Sequence, residues 1–116
     1  MRVTIDKQLL KGTLPLLVLR LLEDDDLYGY ELIKTLHDAS RGAFRFGEGS
    51  LYPVLHSLER EGHLRSYWSD SEVGRKRKYY AITASGRGEL AERGAEWRAF
   101  AGGIDAVLGS GGGEDA

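Results

Sequence analysis

The sequence contains no cysteine among its 116 residues. Disulfide staples, thiolate zinc sites and thiol catalysis are therefore excluded, and oxidation chemistry says nothing of the compartment. Long apolar runs are lacking too: the longest, Leu14 to Leu22, contains Arg20 and falls far short of the roughly 20 residues a bilayer span needs. The stretch from Met1 to Asp6 has no signal-peptide pattern, so a cytoplasmic protein is expected. No sign of charge dominates. Lys and Arg number 16 against 18 Asp and Glu, a formal net charge of -2, which argues against a uniformly basic coat. Catalytic signatures are missing: there is no GxSxG, P-loop or HExxH, and Gly47-x-Gly49 and Gly86-x-Gly88 lack the strand-turn-helix setting that dinucleotide binding requires. His37, His56 and His63 are separated, and His56, Glu59 and His63 would form a metal site only by converging. No metal or other cofactor is expected, and without a base paired to a nucleophile an enzyme has no residues to assign.

With 41% hydrophobic and 29% charged residues, the chain can bury one core. A helix is expected over Leu9–Leu22, starting near Gly12 or Thr13 with Pro15 in its first turn. Its aliphatic residues are too many for one face, so it must be covered on several sides, and a second subunit is a natural cover. Asp24-Asp25-Asp26 reads as a solvated turn, with Asp26 capping a second helix over Tyr28–Ala39 that carries Tyr28, Leu32, Ile33 and Leu36 at helical spacing. A third helix runs from Glu48 or Gly49 to Glu61, stopped by Gly62, and buries Leu51, Leu55 and Leu58. Strands are expected over Leu64–Ser69 and Lys78–Thr83, joined by a polar connection from Asp70 to Arg77. Three helices followed by a hairpin with a charged tip describe a mainly α fold with a small β-hairpin wing, a winged helix-turn-helix.

Thr83 caps a last helix reaching Leu108, on the order of 38 Å long at about 1.5 Å per residue. Leu90, Gly94, Trp97, Ala101, Ile104 and Leu108 alternate at spacings of four and three, a heptad seam widened by Phe100 and Val107. Gly102-Gly103 weakens the helix by roughly 1 kcal/mol per glycine and is a candidate bend. Such a helix has little to pack on within its own chain, which points to dimerisation. The organisation expected is a DNA-binding domain over 1–83 whose first helix also joins the dimer interface, a dimerisation helix over 84–108 and a flexible glycine-rich tail over 109–116. On that reading Leu14, Leu17, Val18 and Leu21 of the first helix join Leu90, Trp97, Phe100, Ala101, Ile104 and Leu108 of the last at the interface.

Net charge is -2 over residues 1–40, +3 over 41–80 and -3 over 81–116, so the basic excess coincides with the third helix and the hairpin. Arg75, Lys76, Arg77 and Lys78 form a run expected at the hairpin tip, where it could displace counterions condensed on duplex DNA. The exposed face of the third helix carries Ser50, Tyr52, Pro53, His56, Ser57 and Arg60. Short polar groups on the first turns suit a helix entering the major groove, with Ser50 and His56 facing base edges. Tyr52 can donate its hydroxyl to a phosphate, a contact that positions without reading sequence, or else pack half-buried on the core.

These residues carry a family resemblance. Gly12-Thr13-Leu14, LYGYEL from Leu27 to Leu32, EGSLYPVLHSLEREGHL from Glu48 to Leu64 and GRKRKYYAIT from Gly74 to Thr83, in this order and spacing, resemble the PadR-like transcriptional regulators with a single C-terminal helix. The resemblance covers roughly Leu10 to Leu108. It implies a homodimeric winged-helix repressor whose first and last helices form the interface and whose wing reaches double-stranded DNA at near-palindromic operators. It implies a backbone contact for Tyr52 and the basic wing for Arg75 to Lys78. In multidrug-sensing members a tryptophan on the last helix stacks flat aromatic ligands at the dimer centre, and Trp97 lies at a matching place beside Gly94 and Ala101, where it either takes that role or simply fills the interface. The alternative is a winged-helix module that docks a protein. Four adjacent cations favour DNA over that partner, since protein-interface cores are poor in lysine. An enzyme at the dimer centre lacks a catalytic pair.

Overall fold

In the computed structural model, which describes residues 5–72 and 74–109, Asp6 opens the first helix by accepting the backbone N–H of Gln8 at 2.7 Å. That helix, α1, spans Lys7–Asp24. It starts before the expected Leu9, and Pro15 lies deep inside it rather than in its first turn. The missing N–H of Pro15 leaves the Lys11 carbonyl without its helical donor, and Lys11 is exposed, so water can replace it. Leu10, Leu14, Val18, Leu19 and Leu22 are the buried residues of α1.

Leu27–Tyr28 form a short strand, β1, which the sequence reading assigned partly to the second helix. Asp26 is therefore too far upstream to cap that helix. Its carboxylate instead accepts the Tyr67 hydroxyl at 2.5 Å, and α2, Gly29–Ala39, starts from Tyr28, whose N–H donates to Glu31 Oε1 at 3.2 Å. The third helix, α3, spans Glu48–Arg60 and buries Leu51, Leu55 and Leu58 as their spacing requires. Its end is a Schellman turn: His63 N–H donates to Leu58 O at 2.9 Å and Gly62 N–H to Glu59 O at 3.0 Å, around Gly62 at φ 85°.

That turn delivers the chain to β2, Leu64–Asp70, which pairs antiparallel with β3, Lys76–Ile82, in a three-stranded sheet ordered β1-β3-β2. The connection closes at Ser71, whose N–H donates to Arg75 O at 2.8 Å. Both strands thus reach further toward the tip than expected, while β3 stops one residue short of Thr83, which caps the next helix, and only Arg75 of the basic run lies in the turn. Lys76, Arg77 and Lys78 belong to β3, because cross-strand pairing continues to Asp70↔Lys76.

Thr83 fixes the last helix, α4, Ala84–Leu108. Its Oγ1 accepts Gly86 N–H at 3.0 Å and donates to Gly62 O at 2.7 Å, while its N–H donates to His63 O at 3.1 Å. The helix continues through Gly102-Gly103 to a left-handed cap at Gly109; residues 110–116 of the expected tail lie outside the described residues. Leu14, Val18, Leu19 and Leu22 meet Leu32, Leu36, Leu51, Leu55, Leu58, Leu64 and Tyr80 in one core, each contributing about 1.5–3 kcal/mol by burial. Along its outer part α4 exposes Trp97, Phe100, Ile104, Val107 and Leu108, and the molecule is elongated to 57 × 33 × 22 Å. Among the described residues no helix is long and apolar enough to cross a membrane.

Candidate nucleic-acid interface

With Leu51, Leu55 and Leu58 committed to the core, helical geometry turns Ser50, Pro53, His56 and Arg60 outward, and all four are exposed. Ser57 is half-buried. Tyr52 is half-buried too, packed against the core with its ring 6.2 Å from that of His56 and its hydroxyl against Gly29 at the start of α2. A methyl group on Gly29 would overlap that hydroxyl, so the glycine is what admits Tyr52. His63 does not converge with His56 and Glu59: its Nδ1 is 2.8 Å from Ser85 Oγ, and Glu59 accepts the Ser66 hydroxyl at 2.6 Å.

Strand alternation divides the basic run between the two faces of the wing. Lys76 and Lys78 share a face with Tyr80, and Lys78 Nζ lies 5.7 Å from the Tyr80 ring centroid. Lys76 Nζ is 3.6 Å from Asp70 Oδ1 in an exposed pair. Arg77 lies on the opposite face with its guanidinium 5.4 Å from the centroid of Tyr28, and its Nε is buried without a hydrogen-bond partner among the described residues.

On Arg77's face stands a row of three tyrosines that the sequence reading missed. Tyr28 and Tyr79 are in register, as are Tyr79 and Tyr67. Tyr28 meets Tyr79 edge-on at 5.4 Å between centroids, and Tyr67 stacks on Tyr79 at 5.7 Å and 13°. Arg65 lies 5.5 Å from the Tyr67 ring centroid. The Asp26 carboxylate, by accepting the Tyr67 hydroxyl, raises the pKa of that phenol. Desolvation and then the nearby Glu31 raise that of Tyr79, and burial raises that of Tyr80. The row was hidden because β1 is only two residues long and carries no periodicity.

A second region lies between α1 and α4, with Trp97 lining two open grooves, one apolar and one of mixed character. One, of about 560 Å³, is lined by Leu9, Thr13, Leu16, Phe44, Trp97 and Phe100. The other, of about 700 Å³, includes Leu17, Leu90 and Gly94, with Arg20, Glu23 and Arg98 supplying charge. Of the residues expected at a subunit interface, Trp97, Phe100, Ile104 and Leu108 are exposed, Ala101 is half-buried, and Leu17, Leu21 and Leu90 pack half-buried against the core. Leu14 and Val18 are a correction: each is 1% exposed in the chain's own core and offers a partner nothing. The outward side of α1 carries Leu9, 67% exposed, and Leu16 in their place.

Comparison with known proteins agrees with this architecture. The chain matches the family described as "Transcriptional regulator PadR-like family" over residues 18–92. The crystal structure of a PadR-like transcriptional regulator from Bacillus cereus is 32% identical, with a TM-score of 0.78 over 93% of this chain and 100% of that one. A transcriptional regulator from Clostridium thermocellum, at 28% identity, gives 0.80 over 89% and 97%. The transcriptional regulator Rv3488 of Mycobacterium tuberculosis is 39% identical over 69 residues, which are 60% of this chain and 61% of that protein. A winged helix whose α3 and wing expose polar and basic groups, matched over most of its length by these regulators, belongs to the PadR-like family of DNA-binding transcriptional regulators, which are not enzymes.

Proposed function

We propose that the chain acts as a homodimeric, sequence-specific repressor that binds a near-palindromic operator and is released by a small aromatic or lipophilic effector beside Trp97. The observation that carries the dimer and the effector is Trp97 itself, an indole 43% exposed between an apolar groove and a mixed one, on a helix whose Phe100, Ile104, Val107 and Leu108 stand exposed among the described residues. An apolar stripe of this extent on a small domain is costly in water, and a second copy of α4 is its natural cover. In this reading residues up to Thr83 serve DNA and the core, and α4 serves the interface. Two copies set their α3 helices about 34 Å apart, one turn of duplex. Ser50 and His56 read base edges, Pro53, Ser57 and Arg60 complete that face, and Tyr52, Arg75, Lys76 and Lys78 hold the backbone. A protein bound to chromosomal DNA works in the cytoplasm.

Titration of the chain against fluorescent duplexes from its own upstream region, with and without flat aromatic compounds, tests the proposal. One dimer per operator half-site pair is expected by sedimentation, with saturating aromatic weakening operator affinity. A monomer on DNA, or an aromatic that quenches Trp97 without changing operator affinity, would refute the corresponding part. The rival reading, a protein-docking module, predicts no preference among duplexes.

A further inference from the structure

Trp68 is 66% exposed, an unusual position for an indole on a strand of a small domain. Register and alternation define its surroundings. Trp68 pairs with Lys78, and along β2 it shares its face with Ser66, whose hydroxyl donates to Glu59 of α3, and with Asp70 opposite Lys76. This is the side of the sheet that looks onto α3, since Tyr80, on the same face, is buried in the core with Leu51, Leu55 and Leu58. The indole therefore continues the surface of α3 onto the wing, flanked by two lysines, while the tyrosine row and Arg77 occupy the reverse side.

We propose that Trp68 is a positioning residue for DNA, its indole lying against a deoxyribose and its Nε1–H donating to the adjoining phosphate, with Lys78 beside it and Arg77 turned away from the duplex. The proposal rests on the wing-to-DNA reading above. An indole is suited to such a boundary, being flat and apolar with one donor at its rim. The lysines supply the charge complementarity, although Asp70 offsets part of that of Lys76. Contacts to sugar and phosphate carry no base information, so Trp68 sets affinity and register rather than preference. Arg77, by contrast, spends its guanidinium on the Tyr28 ring and holds the sheet together.

The test combines two measurements on the full chain with a duplex from its upstream region. Hydroxyl-radical footprinting of the unmodified protein is expected to show Trp68 protected on duplex binding, while Tyr67 and Tyr79 on the reverse face keep their reactivity. In anisotropy titrations Trp68→Ala is expected to weaken all duplexes about tenfold with the salt slope unchanged, and Lys78→Ala to lower that slope by about one. Arg77→Ala, checked for folding by thermal melting, is expected to leave the slope unchanged. Duplex binding with Trp68 still reactive overturns the assignment, even where Trp68→Ala weakens affinity, and leaves the DNA reading in place. Unaltered binding by a Lys76→Ala, Lys78→Ala double variant overturns the wing reading itself, and this inference with it.

Discussion

Substituting alanine at two glycines of α4, Gly86 and Gly88, is expected to change stability in opposite directions. Gly86 is buried in the first turn, where a methyl group would overlap the His63 carbonyl oxygen, 3.1 Å from its carbon and 2.7 Å from Ile82 Cγ1. The carbonyl is backbone and already accepts the Thr83 N–H at 3.1 Å, so it cannot move without disturbing the helix cap. Overpacking of this kind costs about 1–3 kcal/mol. Loosening the Thr83 to His63 hydrogen bond adds about 1 kcal/mol. Alanine's better helix propensity returns about 1 kcal/mol. The net is a loss of about 2 kcal/mol, or a Tm lower by about 8 °C for a domain of this size. Around Gly88 a methyl group meets nothing within 4 Å, so Gly88→Ala keeps only the propensity gain and raises stability by about 0.5–1 kcal/mol. Urea unfolding of both variants at one fixed protein concentration reads the difference, since association itself shifts apparent stability. A Gly86→Ala protein as stable as the parent would refute the reasoning, because the close approach of α4 to the α3–β2 turn would then be incidental.

Three further outcomes are expected. Gly29→Ala overlaps the Tyr52 hydroxyl and would stand 2.8 Å from its Cζ, so it should swing the ring off α2; duplex affinity should fall by more than stability, and equal losses would leave Tyr52 a packing residue only. Tyr67, Tyr79 and Tyr80 have folded pKa values above their unfolded ones, so their contribution is complete below about pH 10 and is lost as the pH rises through the raised values. Urea midpoints should therefore fall on the alkaline side, and less steeply in Tyr67→Phe, which cannot ionise beside Asp26; parallel curves would count against that hydrogen bond. Ile104→Asp places a carboxylate in the exposed stripe of α4 and should give a folded monomer by sedimentation with at least a tenfold loss of operator affinity, whereas an unchanged dimer would place the interface elsewhere.

How far the sequence reveals this fold depends on how each element is specified. The buried stripe of α3 was legible because Leu51, Leu55 and Leu58 repeat on one face, and Gly62 and Thr83 were legible because a left-handed turn and a helix cap each demand particular chemistry. The inward face of α1 was not, because a helix apolar nearly all round gives no direction; only packing decided that Leu14 and Val18 face the core and Leu9 faces out. The wing's cations were visible as a run but not as two faces. Their division depends on where the turn closes, and a one-residue shift in register would exchange Lys78 with Arg77. Trp68 is legible in the sequence only as one residue of the strand over Leu64–Ser69, since its surroundings exist only once Lys78 is known to lie opposite.

That exchange gives the net charge of -2 its physical meaning. DNA responds to local charge within a Debye length of about 10 Å, not to the sum over the chain, so in the proposed complex the +3 of residues 41–80 is what the duplex would meet. Within that segment Arg77 is held on the Tyr28 ring and Lys76 is partly matched by Asp70. On the side that looks onto α3 this leaves Lys78, whose ammonium lies 5.7 Å from the Tyr80 ring centroid, with Arg75 in the turn. In the proposed complex an uncharged contact would add to that attraction, and the exposed Trp68 stands opposite Lys78 where it can supply one. The two halves of the proposed regulator meet in α1. One side of that helix packs Leu14, Val18, Leu19 and Leu22 in the same core as Leu51 and Leu55 of α3, and the other lines a groove beside Trp97 through Leu9, Thr13 and Leu16. A molecule filling that groove touches the element that seats α3. Close-packed cores transmit such a displacement instead of absorbing it, so the proposed effector could act on the proposed DNA-reading helix through α1 alone.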